Sequence, residues 1–541
     1  MEGDNGEIYN MKELKNDLAN HQVFPKTNSD TEILLLSYLT FGADFVKKVD
    51  GIFAFAIYDE RHNTMTLFRD SFGVKPLFYT MINGTIVFSS EPKGCFCFPG
   101  VKAELDVDGL NEILSLGPAR TPGSGVFYGF HELLPGCYLT CSVFGRKMTQ
   151  YFHLESRPHF DSYEETVEKT SFLIQDAIKR QMVSDVPICT FLSGGVDSSV
   201  VSAVCAAELK KQGKKLTTFS FDFIDNDKYF KANSFQPSQD RPYVDKMVSF
   251  LDSDHHYLEC DNKMQADLLY RSVDAHDLPC MADIDSSLQY FCEEVSHSHK
   301  VVLTGECADE VFGGYPWFHR EEMLNSGTFP WTPSLTPRKV LLKDDLVESL
   351  HMDEYVKKIY DRSVSEINVL PSESEIETNR RRIGYLNIRF FMQTLLNRMD
   401  RTSMFSGLEA RVPFADRTLV DYVFNIPWEM KAKDGLVKNI LRQASKGLLP
   451  DEILFRRKSP YPKTYNPYYE NLLAKRLKEV LSDSASPLHS LLDLKQVTQF
   501  LENPKDYGAP WYGQLMAGPQ MIAYLLQIEY FLRKYNVSIR I

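Results

Sequence analysis

The chain has 541 residues, with 60 Lys and Arg against 73 Asp and Glu, a formal net charge of -13, and 43% hydrophobic residues. That length is several times the commonest domain of ~100 to 150 residues, so two or more cores are expected, and the apolar content excludes a disordered or collagen-like chain. The acidic balance argues against a nucleic-acid partner bound through neutralised phosphates, and the longest apolar run, near Ile33 to Tyr38, is far short of the ~20 residues that span a bilayer.

The acidic start MEGDNGEIYN has no signal-peptide character, so no membrane partner and a cytoplasmic address are expected. The first part of the chain alternates short β-rich runs with Gly, Pro and Asn turns: GIFAFAIYD, TMTLFRD, PLFYTM, GTIVFSS, GCYLTCSVFG and MTQYFHL. This pattern predicts an antiparallel sheet assembly over residues 1–155. The polar, Pro-containing segment SRPHFDSYEE then leads to a helix starting near Tyr163, and a second domain is expected over 163–541. Its strands VPICTFL, LTTFSFDF, HHYLEC and KVVLTG alternate with helical stretches, which predicts a parallel sheet. Beyond about Arg380 the pattern is helical. The expected fold is an antiparallel β-sandwich of α+β type followed by an α/β domain with a helical C-terminal part.

Ten cysteines scattered over such a chain read as reduced, mostly buried thiols. Cys95 with Cys97, and Cys137 with Cys141, are the alternative, a four-ligand zinc site, although their context is not that of a zinc knuckle.

The sharpest motif is FLSGGVDSSVVSAVCAAELKKQG, an apolar strand entering a Gly-Ser turn that opens a helix. Gly194 and Gly195 remove the Cβ atoms that would hold a phosphate off the backbone. The helix start directs its free N–H groups at that anion, and Ser193, Ser198 and Ser199 add hydroxyls. No Walker-type Lys follows the glycines; Asp197 stands where it can hold a Mg2+ bridging phosphates, which favours pyrophosphate chemistry over γ-phosphoryl transfer. A second turn, VVLTGECADEVFGGYPWF, packs Glu306, Asp309 and Glu310 into five positions, where they repel unless a cation or a proton is shared. Two parallel strands ending in these turns would bring Asp197 and Asp309 to one sheet edge as a Mg2+ pair; the alternative is a solvated acidic turn.

SGGVDSS, TGECADEVFGGY, DRTSMFSGLEARVPFAD and GLVKNILRQ together resemble successive motifs of the glutamine-dependent asparagine synthetases. NGEIYN, GIFAFAIYD and RDSFGVKPLFY resemble that family's N-terminal amidotransferase half, of the Ntn-hydrolase kind. The resemblance implies a ligase that uses ATP to convert aspartate to β-aspartyl-AMP, releases pyrophosphate, and forms asparagine with ammonia or glutamine as nitrogen donor; it leaves a homodimer open. It places Leu192, Phe221, Thr304 and Gly305 at the nucleotide, and Asp197 and Asp309 at Mg2+. Glu306 falls at the acyl-adenylate, where it can act as base, and Lys438 at the α-phosphate. Arg401 and Arg411 are either in that polar shell or structural. Asn5, Gly6, Glu7 and Asp30 match positions that hold glutamine.

Family members begin with a nucleophilic Cys, with a glutamine-binding Arg between it and NGEIYN. Here Glu2 follows Met1 and NGEIYN begins at Asn5. The amidotransferase half is therefore expected to be incomplete and unable to hydrolyse glutamine in these 541 residues. The start is expected to be internal to a longer natural protein, with reliance on free ammonia or a separate glutaminase as the alternative. The basic, Pro-rich segment RRKSPYPKTYNP is either a lid over phosphates or a solvated loop. A related ligase for another carboxylic acid, or a non-catalytic nucleotide-binding relative, are the alternatives.

Overall fold

Two sheet systems of opposite character divide the chain in the computed structural model, which describes residues 2–232, 236, 238–504 and 510–541. Met1, on which the reading of the chain's start partly rests, lies outside the described residues. In the first part, β1 (Glu2–Ile8), β2 (Gly51–Asp59) and β3 (Thr64–Arg69) pair antiparallel, and β8 (Cys137–Ser142) and β9 (Gly145–Gln150) complete the sheet in the order β1-β2-β3-β8-β9. A second antiparallel sheet has the order β5-β4-β7, from β4 (Phe78–Ile82), β5 (Thr85–Ser89) and β7 (Phe130–Glu132). Alternation along β2 and β3 buries Ala54, Ala56 and Leu67 against Leu77 and Tyr79, while Phe53, Phe55 and Phe68 pack under the helices Met11–Asn20 and Asp30–Phe41. Those two helices stand where the sequence showed only β-rich runs; ILLLSYL, read as the longest apolar run, is helical.

The second part carries the parallel sheet β12-β11-β10-β13-β14, from β10 (Ile188–Phe191), β11 (Thr217–Phe223), β12 (Asp254–Cys260), β13 (Val301–Leu303) and β14 (Glu409–Arg411). The short β14 falls inside a motif that gave no strand signal of its own. Helix Tyr163–Gln181 begins with a capping box in which Ser162 and Glu165 satisfy each other's backbone N–H groups. The fold class is thus an antiparallel sandwich followed by an α/β sheet with a helical remainder, as the alternating patterns predicted.

The two parts share a core. Leu105, Leu110 and Phe127 belong to the same buried cluster as Trp317, Trp511 and Phe531, and β15 (Ser538–Ile539) pairs in parallel with β6 (Glu104–Leu105). A buried ion pair also crosses the seam: Lys75 Nζ lies 2.9 Å from Asp400 Oδ1, with both side chains almost wholly excluded from solvent. Burial opposes the Lys75 charge, but Asp400 and the neighbouring acids outweigh it and hold its pKa above the ordinary value.

Removing one partner of such a pair strands the other charge. Lys75→Met is expected to cost about 3–5 kcal/mol, read from the denaturant midpoint, and Lys75→Met/Asp400→Leu to recover most of it. Equal losses in the single and double variants would remove the pairing as the cause.

Candidate active site at the carboxyl edge of the parallel sheet

β10 and β13 are neighbours, with Thr190 opposite Leu303, so the chain leaves both at the same edge. Their loops touch through backbone. A Cβ on Gly305 would lie 2.6 Å from Ser198 N, and one on Gly194, whose φ is +68°, would meet Tyr243 Cβ at 2.7 Å. Within the first loop Ser193 N donates to Ser198 Oγ at 3.1 Å, and the two hydroxyls are 3.0 Å apart. Gly195 caps the helix Val196–Lys211 without a side chain, and the helix opens on a cavity of about 280 Å³ with Gly195, Asp197 and Ser198 in its wall.

Lys438 joins the two loops. Its Nζ lies 2.6 Å from Asp197 Oδ2 and also pairs with Asp309 Oδ1, while Lys458 Nζ is 2.7 Å from Asp309 Oδ2. Burial pushes the Asp197 carboxyl above its ordinary range against the pull of Lys438. For Asp309 burial pushes the same way, but the two lysines outweigh it and bring the group to about 2. Burial and the adjacent Asp309 charge push Glu310 to about 8, and the Tyr315 hydroxyl donates to it. The crowding of three carboxylates in five positions is therefore relieved by cations at Asp309 and by a proton at Glu310. Glu306, raised by burial, faces Arg398, whose Nη1 is 3.8 Å from its Oε1.

These residues fit a Mg2+ ion. Among the described residues Asp197 Oδ1 is buried without a hydrogen-bond partner, and the donors around it are hard carboxylate oxygens of the kind that ion takes.

Of the residues read from sequence, Leu192, Ser193, Gly195, Asp197, Ser198, Phe221, Thr304, Gly305, Glu306 and Asp309 line this cavity. Gly194 packs on Tyr243, Ser199 is fully buried in the helix, and Lys438 lies 2% exposed behind the wall. Arg401 and Arg411 lie away from the cavity wall: Arg401 pairs with Asp277 at 3.3 Å, and Arg411 with Glu409 at 2.7 Å and Glu7 at 3.1 Å. Both are structural here.

The segment 456–467 lies over the site and is not a solvated loop. Arg456 Nη1 donates to Ser193 O at 3.1 Å, Lys458 holds Asp309, and the Tyr461 ring stacks 6.3 Å from Phe221. Arg398, 4.7 Å over Tyr461, was invisible in sequence because it sits in an ordinary-looking helix, Met392–Phe405.

In the first part, Asn5 and Gly6 lie on β1 opposite Ala54 and Phe53. A Cβ on Gly6 would collide with Ile52 O, and Asp30 Oδ2 accepts from Ile8 N at 3.0 Å. Glu7 faces Arg411 rather than a cavity. The zinc alternative for Cys95, Cys97, Cys137 and Cys141 fails: among the described residues none of them joins a group of convergent ligand atoms.

Comparison with known proteins agrees with this geometry. The family described as "Asparagine synthase" matches residues 170–533, and "Glutamine amidotransferase domain" matches residues 4–152. The chain is 47% identical over 99% of its length to asparagine synthetase [glutamine-hydrolyzing] 3 of Bacillus subtilis (strain 168), covering 87% of that protein. It is 28% identical to asparagine synthetase [glutamine-hydrolyzing] 1 of the same organism, over 92% of this chain and 81% of that one. It is also 28% identical to the amidase chyE of Penicillium rubens, over 84% and 76%.

Because Lys438 stands between two half-buried carboxylates, Lys438→Ala is expected to lower the thermal midpoint, with Mg2+ raising that midpoint more in the variant than in the parent. A Mg2+ response equal in both would remove Asp197 and Asp309 as its holders.

Proposed function

We propose that this chain, a member of the asparagine synthase family, amidates aspartate at the expense of ATP through β-aspartyl-AMP, releasing AMP and pyrophosphate. The observation that carries the reading is the single buried ammonium of Lys438 drawing Asp197 and Asp309 together beside Glu306 at the sheet edge.

The SGGVDSS loop receives the phosphates on backbone N–H groups, and Phe221 with Tyr461 forms an aromatic wall for the base. Asp197 and Asp309 would hold Mg2+, which supplies Lewis-acid neutralisation of the pyrophosphate when bound. Lys438 keeps both aspartates in register and gives the α-phosphate end its fixed positive charge; Lys458 and Arg456 present further cations on the open side. An aspartate β-carboxylate oxygen attacks the α-phosphorus and the bond to pyrophosphate breaks. Ammonia nitrogen then attacks the acyl carbon, the bond to AMP breaks, and Glu306 accepts the proton that nitrogen sheds. Burial raises the Glu306 pKa, so its basic form is lost as pH falls through a value above the ordinary carboxylate's.

The proposed nucleophile of that second step is ammonia. A second reading, a ligase for another carboxylic acid, is favoured by the similarity to a protein named as an amidase.

Incubation with ATP, Mg2+, ammonium and single amino acids is expected to give AMP and pyrophosphate only with aspartate. Asp197→Ala is expected to lower the rate by roughly 10²–10³-fold. Glu306→Gln is expected to abolish amide formation while retaining aspartate-dependent exchange of pyrophosphate into ATP. ADP as product would sink the adenylation reading, and equal rates with other acids would favour the second one.

A further inference from the structure

At the end of helix Asn262–His276 a turn reverses the chain into helix Asp283–Ser296, with Asp277 and Ala282 held at positive φ. The turn brings His276, Cys280 and Asp285 together, with one ligand atom from each lying within 4.8 Å of the others, all in the interior. His276 Nδ1 is 2.7 Å from Ser272 O; that carbonyl can only accept, so the proton sits on Nδ1 and Nε2 keeps its lone pair. Nε2 is buried and, among the described residues, has no hydrogen-bond partner. Asp285 Oδ2 accepts from Met281 N at 2.6 Å, and its Oδ1 lies 3.2 Å from Arg398 Nε. The Cys280 thiol is oriented by Gln527, whose Nε2 lies 3.1 Å from Sγ. A cavity of about 70 Å³ at the seam between the two parts reaches all three side chains.

We propose that His276, Cys280 and Asp285 form a site for a soft divalent cation, zinc foremost, whose occupation inhibits amidation through Arg398. Imidazole, thiolate and carboxylate select zinc over magnesium, unlike the all-oxygen pair Asp197 and Asp309. An outer hydrogen bond from a ligating imidazole to a carbonyl is the usual device that fixes its tautomer. On binding, the Cys280 S–H bond breaks, a sulfur–metal bond forms, and the proton leaves to solvent; burial otherwise holds the thiol protonated. Of the guanidinium groups lining the cavity, Arg401 is paired with Asp277, Arg398 with Asp285 and Glu306, and Arg389 with Glu366, while Arg120 donates to backbone carbonyls.

Arg398 is the link to the reaction. Its Nε is 3.2 Å from Asp285 Oδ1 and its Nη1 3.8 Å from Glu306 Oε1. When Asp285 turns to a metal, Arg398 is left with Glu306, and a carboxylate held more tightly by a guanidinium is a weaker base. The coupling rests on the role proposed above for Glu306, whereas the binding does not.

The test is titration of the full chain with Co2+ in the presence of excess Mg2+, followed by thiolate-to-cobalt charge-transfer absorption. One equivalent is expected to give the band, with zinc displacing it. Cys280→Ser and His276→Gln are expected to bind at least about 10-fold more weakly, with the band lost in the first; Glu306→Gln is expected to keep it. Zinc is expected to inhibit ammonia-dependent AMP release at concentrations that leave Cys280→Ser active. Absence of the band in the unmodified chain overturns the site whatever the enzyme's activity, and a Cys280→Ser protein that zinc inhibits equally overturns the coupling by placing the inhibition elsewhere. Cys280→Ala serves in place of Cys280→Ser should the serine variant fail to fold.

Discussion

Two aspartates from loops more than a hundred residues apart share one lysine ammonium, and much of the site follows from what that sharing requires. Asp197 and Asp309 can meet at Lys438 only if β10 and β13 are parallel neighbours and their loops leave the same edge. The loops can approach only if position 305 has no side chain, because a Cβ there would press on the backbone of residues 197 and 198. Lys438 itself sits at positive φ at the start of helix Asn439–Ala444, a conformation that L-residues adopt at a cost and that the surrounding contacts hold in place. Backbone register, a missing Cβ and a strained lysine thus converge on one charge.

That charge is buried, and burying ions is costly unless each is paired. The protein meets the cost in chains of alternating sign. Lys458, Asp309, Lys438 and Asp197 form one such chain, and Glu306, Arg398 and Asp285 a second. A third pair, Lys75 with Asp400, lies in the seam that sets the antiparallel part against helix Met392–Phe405. The same helix carries Arg398, so the pair that locks the seam also fixes the height at which Arg398 reaches Glu306.

Sequence revealed the parts of this arrangement that are local. SGGVDSS stands out as a candidate site because glycines, hydroxyls and a helix start fall together within seven residues, and the carboxylate crowding at 306–310 is a repulsion visible in one dimension. The alternation of strands and helices likewise gave the fold class. What stayed hidden depends on distant segments. Nothing near Arg398 distinguishes it from a helix-surface arginine, and Arg401, three residues on, turns to Asp277 instead. The segment 456–467 was legible as basic and Pro-rich, but whether it covered the phosphates depended on Lys458 finding Asp309, an encounter across about 150 residues of chain. Helix Asp30–Phe41 was missed because its nearly unbroken apolar run shows no 3.6-residue period to tell helix from strand. The His276, Cys280 and Asp285 cluster escaped for a different reason: its spacing matches no metal motif, and it exists only because two non-glycine residues hold a turn at positive φ.

The contrast between the two candidate cation sites has a physical logic. One offers carboxylate oxygens beside the SGGVDSS turn and the other an imidazole and a thiol near the seam. A hard, well-hydrated ion gains most from the first and a soft ion from the second, so two cations in one solution would sort themselves by ligand chemistry rather than by concentration alone. Arg398 stands between the two sites, bonded toward both, and a guanidinium cannot shed its proton to relieve a conflict. It can only change partners. A site that must keep a carboxylate basic beside so permanent a cation therefore needs a second carboxylate to share it, which is the office Asp285 fills.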